Sequence, residues 1–148
     1  MANIDAALKK RNQESISVVT PLFDELNQAW EKIENFFRSQ GILQPAHFAY
    51  AKVYEFDHAQ EPIGENLIAI EKLGGKWRIC HGYFHYPAAE YGDWTPISEC
   101  SVDRRVLLLD HVASLFESLV ESNEKYVPEI EKAVAKSQSV LKSLGISE

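Results

Sequence analysis

The pair Gly74-Gly75, set between two alternating runs, constrains this chain more than any other stretch. A two-residue hairpin turn needs positive φ at its central positions, which glycine adopts without steric cost. Counting outward from the turn opposes Leu73 to Lys76, Glu71 to Arg78, Ala69 to Cys80 and Leu67 to Gly82. The intervening positions set Lys72 beside Trp77, Ile70 beside Ile79 and Ile68 beside His81. Side chains alternate along a strand, so the hairpin has two unlike faces. One carries Leu67, Ala69, Leu73, Cys80, Gly82 and Phe84. The other is bulkier, with Ile68, Ile70, Trp77, Ile79 and Tyr83, and with His81 and His85 interleaved. Glu71 opposite Arg78 adds a cross-strand charge match.

A preceding strand over about His47–Asp57 repeats the contrast. Ala49, Ala51 and Val53 point one way, and Phe48, Tyr50, Tyr54 and Phe56 the other. After a turn-rich loop from Pro87 to Pro96, a short fourth strand is expected around Ile97–Cys100.

Both ends read as helix. Ile4, Leu8, Val18, Leu22, Leu26, Ala29, Ile33, Phe36 and Phe37 recur at spacings of three and four, the pattern of an amphipathic helix. Thr20-Pro21 either kinks it or splits it, because proline removes a backbone donor and clashes with the preceding turn. Gly41 is its natural stop. Ser101 is a good N-cap for a second stripe through Val102, Val106, Leu109, Val112, Ala113, Phe116, Leu119 and Val120. Pro128 then starts or kinks a last helix. The expected fold is α+β: an N-terminal helix or helix pair, a central three- to four-stranded antiparallel sheet, and a C-terminal helix pair. The 148 residues make one domain over 1–148.

Composition narrows function mainly by exclusion. Hydrophobic residues at 45% and charged residues at 25% are ordinary for a globular protein. A formal net charge of −7 argues against nucleic-acid and anionic-membrane partners. Residues 47–100 hold eight acidic and four basic side chains, so a charged partner of the sheet would be cationic. No apolar run approaches the ~20 residues of a membrane span. The N-terminus lacks a secretory pattern, and Cys80 and Cys100 show no C-x-x-C spacing. Reduced thiols and a cytoplasmic location are the expectation.

Known chemical motifs are missing too. There is no phosphate-binding loop, no dinucleotide fingerprint and no G-x-S-x-G, so neither cofactor nor metal is expected. His81 and His85 would lie about 7 Å apart on one strand face, but no spacing supplies a third ligand. Cys80 points away from His81. Ten of the sixteen aromatic residues fall between Phe48 and Trp94, and tyrosine favours surfaces half buried and half wet. The expectation is a non-enzymatic binding or interaction module. It would use an aromatic-rich sheet face (Tyr50, Tyr54, Trp77, His81, Tyr83 and His85) or its long helices. The partner would be a protein or small molecule, including a second copy in a homodimer. The alternative is a small metal-dependent or acid/base enzyme centred on His81 and His85.

Overall fold

The computed structural model describes residues 4–146. Helix α1 spans Ala6–Gln40, and strands β1 (Ala46–Val53), β2 (Gly64–Leu73) and β3 (Lys76–His85) follow. Two-residue strands β4 (Glu90–Tyr91) and β5 (Thr95–Pro96) lead to a 3₁₀ turn at Ile97–Glu99, then to α2 (Val102–Leu109) and α3 (Val112–Ser143). The sheet is antiparallel in the order β1-β2-β3, with β4 and β5 both on the outer edge of β3. The class is α+β, with the helices packed on one face of the sheet.

The β2–β3 hairpin keeps the register counted from the turn, from Leu73↔Lys76 to Leu67↔Gly82 and on to Gly64↔His85. Gly74 and Gly75 take φ of 59° and 81°, as a two-residue turn requires. The helices cover the bulky face. Ile68, Ile70 and Ile79 are fully buried against Trp30, Phe37, Leu108, Leu115 and Leu119, with Phe48, Tyr50 and Trp77 packed around them. In β1, Ala49 opposes Leu67 and Ala51 opposes Asn66, which leaves Tyr50 as the extra residue of a bulge. Bulges re-aim side chains, and here Tyr50 joins the core margin.

Several expectations are corrected. The first strand ends at Val53, so Tyr54 and Phe56 lie beyond the ladder and stay exposed. Ile97–Cys100 is no strand: Cys100 N–H closes a 3₁₀ turn on the Ile97 carbonyl. Of the two readings at Pro21, the single long helix holds: α1 runs unbroken through it, and Thr20 donates back to the Ile16 carbonyl (2.8 Å). The turns around Pro21 face water, which can satisfy the carbonyl that proline leaves unpaired. Pro128 likewise lies inside α3. The C-terminal pair divides at Asp110–His111 instead, where N–H groups bond three residues back to Leu107 and Leu108. That break changes the phase of the stripe. Leu108, Leu115 and Leu119 are buried, whereas Val106, Leu109 and Val120 are exposed. Glu71 and Arg78 are opposite in register but take other partners, Glu71 pairing with His47 and Arg78 with Glu34.

Helix α1 closes the sheet edge that β4 and β5 leave open. The Glu34 carboxylate accepts from the Ile79 N–H (3.1 Å) and from Arg78 Nε (3.2 Å). One turn on, Arg38 donates to the Trp77 carbonyl (2.7 Å) and lies 3.6 Å from Glu34. Unpaired strand edges invite pairing with other chains, and covering them with a helix is one defence. Glu34 is only 6% exposed. Replacing it with alanine strands a backbone N–H and weakens the hold on a guanidinium. Glu34→Ala is expected to lower unfolding stability by about 3 kcal/mol in urea titrations. A loss below about 0.5 kcal/mol, the scale of a solvated surface change, would contradict that role.

Candidate functional site

The six aromatic and histidine residues expected to form a site are not brought together as one. Tyr50 and His81 meet: Tyr50 Oη lies 2.7 Å from His81 Nε2, and Arg104 Nη1 lies 3.3 Å from His81 Nδ1. Arginine only donates, so Nδ1 must accept, and Nε2 carries the proton it gives to Tyr50. His81 is 6% exposed. Burial first, and the nearby Arg104 charge second, lower its pKa to about 4. Burial also raises the Tyr50 pKa. His111 stacks on Tyr50 with ring centroids 5.0 Å apart. His81 is thus a neutral imidazole locked between β1 and α2.

His85 belongs to other surroundings. Its Nδ1 accepts from the Ala88 N–H (3.4 Å), and its ring lies 6.2 Å from Tyr83. Among the described residues His85 shares no hydrogen-bond partner with His81. Tyr83 lies across Gly64, where a Cβ would collide with its ring. Trp77 packs against the helix-covered core with Lys72 Nζ 5.9 Å from its ring centroid, and Tyr54 stands apart at 45% exposure. Among the described residues, no group of three or more His, Cys, Asp or Glu side chains is placed to hold a metal ion. Both cysteines are buried and unbridged, and burial pushes the Cys80 thiol up to about 12, far from a thiolate.

The opposite, small-residue face gathers aromatics that sequence pattern did not single out. Trp94 lies over Gly82, leaving no room for a Cβ there. It packs 4.9 Å from the His47 ring and 5.4 Å from Tyr91, and Tyr91 packs 4.9 Å from Phe84. His47 Nε2 pairs with Glu71, and Tyr86 donates to Glu65 (3.0 Å). The signal was faint: the sequence around Tyr91 and Trp94 shows no periodicity, and only the missing side chain at Gly82 marks where Trp94 lands.

Most of the exposed large apolar side chains are on the helices. In α1 the buried residues are Trp30, Glu34 and Phe37, all in the last third, while Leu8, Ile16, Val18 and Leu22 are at least half exposed. In α3 burial stops at Leu119. Beyond it Val127, Ile130, Val134, Leu141 and Leu144 follow one another at steps of three, four, seven and three, and all are exposed. With Ser137 dividing the seven, this is the a/d spacing of a coiled-coil seam. Among the described residues no helix is long and apolar enough to cross a membrane.

No protein-family profile matches the chain, and neither a curated protein nor a solved structure matches it.

A histidine whose folded pKa lies below its unfolded value binds fewer protons in the native state. The stability it contributes is present above about pH 6.5 and is lost as pH falls through about 4. Discounted for solvent screening of the ring, that loss is on the order of 1–2 kcal/mol. In urea titrations, His81→Gln should lose clearly less stability between pH 7 and pH 4.5 than the parent chain. Equal losses in the two proteins would remove His81 from this role.

Proposed function

We propose that this protein is a non-enzymatic interaction module whose first partner is a second copy of itself, paired through the distal half of α3. The observation that carries this is the 3-4 stripe from Val127 to Leu144, which none of the described residues covers. A lone surface helix draws most of its stability from packing an apolar face, and here about five turns have none.

Two further features favour a second copy, set antiparallel. Over 121–143 the early half holds Glu121, Glu124, Glu129 and Glu131 with one base, Lys125, and the late half holds only bases, Lys132, Lys136 and Lys142. An antiparallel two-fold sets each acidic half against the partner's basic half, and isologous pairs of this kind are the commonest soluble assembly. The accessible surface also leaves room. It is 10707 Å², whereas a compact 16.8 kDa chain exposes roughly 7,600 Å². The excess of roughly 3,000 Å² exceeds the roughly 800 Å² per partner of a standard interface.

The exposed aromatics around Tyr91 and the margin at Tyr54 and Tyr83 are then left for a further protein or small-molecule partner. Two buried, unbridged cysteines favour a reducing compartment, and we place the protein in the cytoplasm. The Tyr50–His81–Arg104 contacts fit a scaffold better than acid/base catalysis, because a histidine with pKa near 4 is a poor proton carrier at neutral pH.

Sedimentation and light scattering test the pairing. The parent chain is expected at twice its 16.8 kDa mass, and Ile130→Glu with Val134→Glu at one chain's mass with unchanged near-UV circular dichroism. A parent protein that remains a single chain at every attainable concentration overturns the proposal.

A further inference from the structure

The geometry points to a binding site for a small doubly charged oxyanion in the cleft between α1, the edge of β3 and the start of α2. The cleft encloses about 430 Å³, within the roughly 300–1,000 Å³ usual for small-molecule sites. Arg38, Lys76, Arg78 and Arg105 line it, against the carboxylates of Glu31 and Glu34. A local excess of two positive charges in a chain of net charge −7 needs a reason. The distal α3 stripe plays no part in it.

The cations are held ready rather than free to wander. Arg38 is fixed by the Trp77 carbonyl and by Asn35 Oδ1 (2.6 Å), and Arg78 by Glu34 and Ser98 Oγ (3.0 Å). Arg105 Nη1 donates to the carbonyls of Cys100 (2.8 Å) and Ser98 (3.4 Å). Its Nε is buried and has no partner among the described residues, an uncommon state for a buried donor. Lys76 stands exposed at the mouth and makes no ion pair among the described residues. Trp30 and Ile97, both nearly fully buried, form an apolar wall that weakens solvent screening.

Arginine forks fixed by their own carbonyl and carboxylate partners suit the flat, multiply accepting edge of a phosphate or carboxylate group. The Asn27 and Asn35 amides beside them can donate to the remainder of such a molecule. Two sources share this chemistry, phosphates and dicarboxylates, and a titration can separate them.

Isothermal titration of the full chain with sodium phosphate, and separately with disodium succinate, should give saturable binding of one anion per chain for at least one of them. Binding of phosphate alone assigns the site to phosphate compounds, and of succinate alone to dicarboxylates. Lys76→Glu, at an exposed position, should weaken that binding about tenfold or more with thermal unfolding unchanged. Arg105→Lys should weaken it while keeping the charge. Absence of heat with both anions overturns the assignment. So does weak binding that Lys76→Glu leaves unchanged and that sodium chloride of equal ionic strength abolishes.

Discussion

A buried carboxylate on a strand edge is the constraint around which this protein is arranged. Strand β3 has a paired inner side and an outer side that β4 and β5 cover only in part. Near Trp77–Ile79 that outer side would present bare backbone groups, and Glu34 and Arg38 of α1 satisfy them. Because these two residues are four apart, one helix face must lie along the edge. That fixes Trp30 and Phe37 over the sheet, and with them the side on which α2 and α3 must pack. It also positions Arg38 and Arg78 at one cleft. Edge protection, core and cleft follow from the same contact.

Much of the sheet was legible because its decisive feature is local. Two glycines set the turn, the turn sets the register, and the register sorts every β2 and β3 side chain by face. What counting could not decide was which face the helices take. Ile68, Ile70 and Ile79 offer far more apolar area than Ala69, Cys80 and Gly82, and burial of that area won. The helices were legible as helices but not in their phase or breaks. Pro21 and Pro128 are strong stops in principle, yet both lie where carbonyls reach water. The break fell at Asp110–His111, whose sequence carries no comparable signal.

The candidate site was less readable for a physical reason. His81 was found by its residue type, but its character depends on Tyr50 and Arg104, 31 and 23 residues away. No spacing rule relates these three. The Tyr50 bulge and the α2 cap at Ser101 bring them together, and the result is a neutral, enclosed imidazole. Trp94 over Gly82 and the basic cleft are likewise products of tertiary contact between distant segments. The 3-4 stripe of α3 is the opposite case. It was in the sequence as an apolar periodicity, and only the positions of the neighbouring elements left it uncovered.

Hydrogen–deuterium exchange of residues 121–143, followed as the protein is diluted, addresses the self-pairing of α3 most directly. Amides of an uncovered helix open locally with little free energy, while a paired helix is protected to the extent that pairing persists. Protection of these amides should be strong in concentrated solution and fall on dilution, with the β2–β3 amides unchanged throughout. Fast exchange in 121–143 at every concentration would mean that no second copy covers the stripe.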